Sequence, residues 1–243
     1  MESLEPIDLA DDRQRIYEYV ERHGSVDPER VRNALGYEPR PFGHYLSLLK
    51  RDGYVEEREG ELSIALEPGV DDEFELDGLA VTIRPARQDD ITGIVGTMRQ
   101  VTEEGAYIEA ESVASQLDYE GSLLRHNEFE SRVFFVATVE EEVVGWVHLE
   151  VPEIEKLRHT AELTVGLVTE YRGEGIGRRL VERALDWARA QDLAKVYNSI
   201  PATNEGALAF FESLGGEIEA VREDHYRIDG EPVDEMMMGI ALE

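Results

Sequence analysis

The sequence predicts an α+β protein made of two units joined by an acidic segment. Residues 1–66 show the apolar periodicity of short helices, followed by a strand-like alternation. Residues 67–78, EPGVDDEFELDG, combine proline, glycine and an acidic run, which is typical of a linker. Residues 79–243 alternate strand-like and helix-like stretches, so they predict one mixed sheet with flanking helices.

Length and composition narrow the class of protein. The 243 residues, 42% of them hydrophobic, suit a folded chain with a sizeable core. No apolar run approaches the roughly 18 residues of a membrane span, and the N-terminus lacks signal-peptide features. We therefore expect a soluble, cytoplasmic protein. The chain has no cysteine, which excludes disulfides, thiolate zinc sites and an acyl-cysteine intermediate, and its six histidines have no metal-ligand spacing.

The charge is strongly acidic. The 54 Asp and Glu residues outweigh 24 Lys and Arg, which gives a net charge of −30, and only three of the basic residues are lysine. Such a surface suits a concentrated-salt cytoplasm, where screening suppresses self-repulsion, and so predicts a halophilic source. The same charge disfavours tight non-specific binding to nucleic acid or an anionic membrane.

The first unit predicts three helices and a hairpin. The predicted helices are 12–23, 28–35 and 42–51, and the predicted hairpin is 54–66 with its turn at Glu59-Gly60-Glu61. Asp27 followed by Pro28 is typical of a helix N-terminus.

This order of elements resembles a winged helix-turn-helix domain in its pattern alone. The resemblance implies DNA contact through the third helix, which offers Arg40, His44, Lys50 and Arg51. DNA binding needs a basic face, whereas residues 1–78 hold nine basic and 21 acidic side chains. The other interpretation is a protein-contact or dimerisation module, which would allow a homodimer.

The second unit predicts seven strands and four helices. The predicted strands are 79–84, 131–138, 142–149, 159–168, 195–200, 217–223 and 232–242. The predicted helices are 90–102, 109–124, 177–190 and 204–214. A glycine-rich turn, Arg172-Gly173-Glu174-Gly175-Ile176-Gly177, joins the fourth of these strands to an amphipathic helix. Glycines at a strand-to-helix junction let backbone N–H groups converge on a phosphate.

Of three known phosphate-binding sequence patterns, one matches this turn and two do not. A P-loop ends in GK[ST] and a dinucleotide fingerprint reads GxGxxG, and neither fits glycines at 173, 175 and 177. Arg172-x-x-Gly175-x-Gly177 does match the R/Q-x-x-G-x-G/A signature of the GNAT N-acetyltransferases. Segments flanking the turn also resemble this family in the right order: Val81-Thr-Ile-Arg-Pro-Ala, Val143-Val-Gly-Trp-Val, Asn204 to Gly215 and Asp234 to Met238.

The GNAT resemblance covers about 79–243 and implies a fold, a substrate and a site. The implied fold is a mixed sheet that splays open between its fourth and fifth strands, with acetyl-CoA in the gap. The implied acetyl-CoA contacts are Leu167, Val168 and Thr169 for the pantetheine arm, Arg172, Gly173, Glu174, Gly175, Ile176, Gly177 and Arg178 for the pyrophosphate, and the side chain of Asn204. No metal is implied.

Two catalytic groups common in this family are missing here. The position of the usual proton-donating tyrosine holds Phe211, and the position of a glutamate base found in some relatives holds Ser199. The catalytic candidates are therefore Glu162 as the base and Tyr226 as the acid. His148, Glu103 and Glu104 are further candidates for the base or the acceptor groove.

The resemblance implies an N-acetyltransferase that passes acetyl from acetyl-CoA directly to a primary amine. The alternative is an acyl-CoA-sensing, DNA-binding transcriptional regulator with weak or no catalysis. The sequence does not identify the amine, which belongs to a protein, a peptide or a small molecule.

Overall fold

The protein is described by a computed structural model over residues 11–65, 71–76, 78–103, 108–126, 130–152 and 154–242. The helices are α1 (Asp11–His23), α2 (Pro28–Leu35), α3 (Pro39–Arg51), α4 (Ile91–Glu103), α5 (Ile108–Glu120), α6 (Ile176–Ala190) and α7 (Glu205–Ser213). The strands are β1 (Val55–Arg58), β2 (Glu61–Ile64), β3 (Asp72–Leu76), β4 (Leu79–Pro85), β5 (Arg125–His126), β6 (Glu130–Val139), β7 (Glu142–Pro152), β8 (Thr160–Leu167), β9 (Lys195–Pro201), β10 (Glu217–Ile228) and β11 (Glu231–Ala241).

The N-terminal unit consists of α1 to α3 and the β1–β2 hairpin, as the periodicity predicts. The Asp27 side chain accepts a hydrogen bond from the Arg30 N–H at 3.0 Å, which is the predicted cap of α2. Helix α3 begins at Pro39, three residues before the predicted start, because proline is well tolerated at the first helical position. Ile16, Val20 and Leu49 are fully buried in the core of this unit.

One large mixed sheet organises the rest of the chain. Its strand order is β10-β11-β9-β8-β7-β6-β4-β3, with β5 paired to β6. All neighbouring strands are antiparallel except β8 and β9, which are parallel. The sheet therefore has two outer strands, β3 and β10.

The predicted linker is too long. Residues 72–76 form β3, which pairs antiparallel with β4 from Asp72 opposite Ile83 to Leu76 opposite Leu79. Half-buried Phe74 and Leu76 alternate there with exposed acidic residues, so the segment has the strand period of two. Its acidic residues gave the segment the composition of a loop. Residues 67–70 and 77 of the predicted linker lie outside the described residues.

The two faces of the sheet are covered by different helices. Helix α6 packs on β6, β7 and β8, while α4 contacts β7 and β8 and α5 contacts β8. The Trp146 ring lies directly over the backbone of the neighbouring strand, so that a Cβ added at Gly166 would be 2.1 Å from it. Only glycine at position 166 accommodates this ring.

Direct contacts join the N-terminal unit to the sheet. The His126 N–H donates to the Tyr17 hydroxyl at 2.9 Å, and the Arg125 Nε donates to the Glu21 carboxylate at 3.1 Å. Arg125 also pairs with Glu120 and Glu130, at 2.9 and 2.8 Å. This partly buried ion network ties α1 to the sheet and to α5.

The described part of the chain contains neither a helix that could cross a membrane nor a metal-binding cluster. No helix there is both long and apolar enough to cross a membrane. No group of three or more His, Asp or Glu side chains in those same ranges is arranged to hold a metal ion.

The net charge of −30 predicts that stability depends on salt. Mutual repulsion of surface carboxylates destabilises the compact state and is screened over about 3 Å at 1 M salt. We expect the melting temperature to rise steadily from low to molar KCl. Calorimetry in a KCl series tests this expectation, and a flat melting temperature would contradict it. Sucrose at matched osmolality controls for general solute effects.

Candidate active site

The glycine turn connects β8 to α6. Gly173 and Gly175 have φ angles of 87° and 88°, which L-residues with a side chain rarely adopt. Gly175 is the N-cap of α6, and the N–H of Arg179 is the first to bond back to its carbonyl, at 3.1 Å. The N–H groups of the preceding helical residues therefore have no intrahelical acceptor. They lie at the positive end of the helix dipole, a geometry suited to an anion.

The two arginine side chains of the turn make structural contacts. The Arg172 Nε donates to the Leu167 carbonyl at 2.7 Å, which closes the turn. The Arg178 Nη2 donates to the carbonyl and hydroxyl oxygens of Ser213, at 3.1 and 3.0 Å. The donors of the turn that suit an anion are consequently mainly its backbone N–H groups.

The sheet splits open beside this turn. Strands β8 and β9 pair only over their first three residues, from Thr160 opposite Lys195 to Glu162 opposite Tyr197. Beyond that point the Asn198 side-chain amide donates to the Leu163 carbonyl across the gap. The second half of β8 therefore presents a free backbone edge, the feature implied by the GNAT resemblance.

A cavity of about 510 Å³ occupies the split and extends to the glycine turn. Its size falls in the usual range for small-molecule sites. The predicted binding residues that line it are Leu167, Arg172, Gly173, Gly175, Gly177, Arg178 and Asn204. The structure thus brings together residues from β8, the turn, α6 and α7.

Four predicted binding residues do not line the cavity. Val168 and Thr169 follow the end of β8, and the Val168 N–H is already used in a hydrogen bond to the Val144 carbonyl at 3.0 Å. The Glu174 side chain is exposed, whereas Ile176, the first residue of α6, is fully buried. For Glu174 and Ile176 only the backbone is suitably placed to contribute to the turn.

Asn204 and Phe211 belong to the α7 side of the cavity. The Asn204 Oδ1 accepts a hydrogen bond from the Ala207 N–H at 3.1 Å and so caps α7. Asn204 also lines the cavity, which makes its cap part of the cavity wall. Phe211, at the position of the usual tyrosine, is 1% exposed and lines the same wall without a hydroxyl.

Glu162 lies where β8 and β9 separate. It is not among the residues that line the cavity, but it points to the same sheet face as Thr164, which lines the cavity two residues further along β8. Burial, together with the nearby charges of Glu109, Glu150 and Glu235, raises the pKa of Glu162 to about 7. A carboxylate with that pKa is well matched to accept a proton near neutral pH.

Tyr226 on β10 contacts the acidic end of the cavity. Its hydroxyl donates to Glu109 on α5 at 3.4 Å, and Glu109 lines the cavity while Tyr226 does not. Burial and the charges of Glu109 and Glu235 raise the pKa of Tyr226 above its ordinary value, so the hydroxyl stays protonated at neutral pH. Burial likewise raises the pKa of Glu109.

The other proton-acceptor candidates do not form part of this arrangement. His148 is 2% exposed and stacks on Phe134 with ring centroids 4.5 Å apart. Burial, aided by the charge of Arg132, lowers the pKa of His148 to about 3, and the ring does not reach the cavity. Glu103 ends α4 in an exposed position, and Glu104 lies outside the described residues.

Sequence reasoning missed several cavity residues, Glu109 and Asn198 among them. The sequence predicts Glu109 only as the start of a helix, because its place in the cavity depends on how α5 packs against the sheet. Asn198 is a polar residue inside an otherwise strand-like run, Lys195 to Pro201, and this departure from the apolar alternation was a signal for it.

The split sheet, its flanking helices and the turn-lined cavity define a GNAT-type fold. Residues 98–216 match the model of the acetyltransferase (GNAT) family. The chain also superposes on a Salmonella typhimurium acetyltransferase solved with its cofactor acetyl-CoA, with a TM-score of 0.56 at 20% identity. That match covers 67% of this chain and 94% of the other, and at this identity it shows the fold alone.

Curated acetyltransferases are also similar to this chain, over shorter stretches. The chain is 39% identical over 67 residues to N-alpha-acetyltransferase RimI of Mycobacterium tuberculosis, covering 28% of this chain and 40% of that protein. It is 29% identical over 116 residues to spermidine N(1)-acetyltransferase of Vibrio cholerae, covering 47% and 65% respectively. The chain thus spans less than two thirds of the length of these relatives. The family match and these relatives are similarities to GNAT acetyltransferases over parts of this chain.

Proposed function

We propose that this protein is an acetyl-CoA-dependent N-acetyltransferase that transfers acetyl directly to a primary amine. The observation that carries the proposal is a single cavity joining two kinds of chemistry. One end is lined by the glycine turn, which suits a pyrophosphate. Another part of the wall includes Glu109, whose charge acts on the buried Glu162, and this pair of carboxyl groups suits a cationic amine.

Acetyl-CoA enters the proposal as the acyl-donor substrate. The backbone of residues 172–178 would hold its pyrophosphate, and the free edge of β8 near Leu167 would pair with the amide groups of its pantetheine arm. The relatives named above carry N-acetyltransferase in their names, and the Salmonella homologue was solved with acetyl-CoA, which supports this choice.

The proposed reaction removes two protons from the substrate ammonium and supplies one to the leaving sulfur. Glu162 takes the first proton from the ammonium, and the free amine nitrogen then attacks the thioester carbonyl. A new C–N bond forms, the C–S bond breaks, and the sulfur leaves as a thiolate. The acylated nitrogen gives up its second proton to solvent, which leaves a neutral amide. Orientation of the amine beside the thioester accounts for much of the rate.

Tyr226 is the proposed proton donor to the thiolate. We expect Tyr226→Phe to lower kcat by about 10²-fold with acetyl-CoA affinity nearly unchanged, because it keeps the ring and removes only the hydroxyl. Steady-state kinetics and calorimetry measure the two effects. A kcat within a few-fold of the parent would assign Tyr226 to holding Glu109, with water as the acid. Tyr119→Phe, at a ring that is 93% exposed, is the matched control.

The N-terminal unit is proposed to be a winged-helix-like module that contacts protein. Its α1 is already engaged by Arg125 and His126 of the second unit. The β1–β2 hairpin carries Glu56, Glu57, Glu59 and Glu61, which would repel a phosphate backbone. The concentrated salt of a halophilic cytoplasm would weaken this repulsion, and it would equally weaken any electrostatic attraction to DNA. The charge pattern therefore favours a protein partner.

A paired experiment separates the enzyme from the acyl-CoA-sensing regulator. The first arm measures thiol release from acetyl-CoA with a panel of peptides, polyamines and small amines. The second arm measures mobility shift of mixed genomic DNA fragments with and without acetyl-CoA, at several KCl concentrations. Amine-dependent thiol release supports the enzyme, whereas acetyl-CoA-dependent DNA retention without turnover would support the regulator.

A further inference from the structure

Four polar side chains form one row across the sheet on the face that α4 and α5 cover. Strand pairing places Arg132 opposite Glu150, Glu150 opposite Glu162, and Glu162 opposite Tyr197. Residues directly opposite each other share a face, with Cβ atoms about 5 Å apart. Two carboxylates therefore lie side by side in the middle of the row, with a buried guanidinium on one flank.

The side chains of Glu150 and Glu162 make no hydrogen bond or ion pair within the described ranges, although the charges of Arg132 and Arg125 act on Glu150. Arg132, which is fully buried, donates to Glu120 at 2.6 Å and to the carbonyls of Ser122 and Leu123, while its Nη1 has no hydrogen-bond partner within the described ranges. Like charges at this spacing oppose the ionisation of each other.

We propose that Glu150 is a positioning residue whose carboxylate, fixed opposite Glu162 on the neighbouring strand, keeps Glu162 a competent proton acceptor in the transfer reaction. This inference rests on the proposed function. It assigns to Glu150 an electrostatic effect on Glu162 and no contact with substrate.

Among the charged and titratable groups that act on Glu162, Glu150 differs from the other two carboxylates. Glu162 is faced by Glu109 from α5, Glu235 from β11 and Tyr197 from β9. Glu109 lines the cavity, so a bound cationic amine would offset its charge, and Glu235 is paired with Arg222 at 2.9 Å. Glu150 is outside the cavity lining, and its effect therefore persists when substrate is bound.

The surroundings of Glu150 determine which carboxylate ionises first. Burial and the charges of Glu130 and Glu120 raise the pKa of Glu150, while Arg132 and Arg125 lower it. Glu162 has no arginine among the groups that act on it. Glu150 thus ionises at lower pH, and its charge is in place when Glu162 titrates.

The test measures the titration of Glu162 directly, by carbon-13 NMR of protein labelled at the glutamate carboxyl carbon. The Glu162 signal is identified as the one absent from Glu162→Gln. We expect Glu150→Gln to lower its midpoint from near 7 by about one pH unit. Glu150→Asp, which retains the charge, should restore most of the shift. Glu142→Gln, the same change at an exposed position of β7, should have no effect.

Kinetics with acetyl-CoA and the most active amine of the panel give a second readout. Glu150→Gln should raise the ratio of the rate at pH 6 to that at pH 8 by about fivefold, because more Glu162 is ionised at pH 6. An unchanged NMR midpoint in Glu150→Gln overturns the inference and leaves the enzyme assignment intact. An unaltered rate in Glu162→Gln instead refutes Glu162 as the base, whatever the midpoint shows.

Discussion

Gly175→Leu is expected to weaken acetyl-CoA binding at least about 100-fold, close to 2.7 kcal/mol. A Cβ at this position meets no protein atom within 4 Å, and the residue lines the cavity. The new side chain would therefore occupy the space through which a phosphate approaches the first turn of α6. The measurement is calorimetric titration with acetyl-CoA.

The positive φ of 88° at Gly175 introduces a second effect that needs a control. A leucine there costs about 1–2 kcal/mol of backbone strain whether or not ligand binds. Gly215→Leu carries the same strain, because Gly215 has a φ of 89° and also has open space around it, but it does not line the cavity. Full affinity in Gly215→Leu with lost affinity in Gly175→Leu supports the assignment, and full affinity in both variants refutes it.

Glu162→Gln should lower kcat by about 10²–10⁴-fold, because the substrate ammonium loses its proton acceptor. The pKa of about 7 fixes the sign of the pH dependence. Below pH 7 the parent carries a protonated Glu162 and is slow, and kcat/KM rises tenfold per pH unit until the group ionises. This rise should disappear in the variant.

The pH profile separates a base from a residue that only shapes the cavity. Loss of shape would lower the rate at every pH and leave the rise near pH 7 in place. Glu142→Gln, an exposed glutamate on the adjacent strand, should reproduce the parental profile. A Glu162→Gln profile that keeps the parental rise would assign proton acceptance to another group.

Most of the fold could be predicted from signals that are local in the sequence. Most of the differences between prediction and structure involve contacts between elements that are distant in the sequence. Asp27 with Pro28, and the glycines at 173, 175 and 177, act within a few residues and could be interpreted directly. The acidic strand β3 is predicted as part of a linker because its many charged residues obscure the period-two alternation of a strand. That alternation indicates a strand only once the pairing with β4 is known.

The candidate site was predicted less completely than the fold, for the same physical reason. Residues of the turn share one short segment, whereas the contact of Tyr226 with Glu109 joins β10 to α5 across 117 positions. His148 has the pattern of a polar residue in a strand, but its burial depends on α4 and α5 covering that face. Strand register and helix packing decide such neighbours, and neither is encoded in a local motif.

The two outer strands of the sheet give salt a second effect on this molecule. Unpaired backbone groups along an edge can recruit an edge from another copy, and natural sheets prevent this with charge. Here β3 carries Asp72, Glu73 and Glu75, while β10 exposes Ile218 between Glu217 and Glu219 and also exposes Val221. The electrolyte that relieves repulsion within one molecule also relieves repulsion between molecules. Colloidal stability and conformational stability therefore respond to ionic strength in opposite directions, and the best storage buffer is a compromise between them.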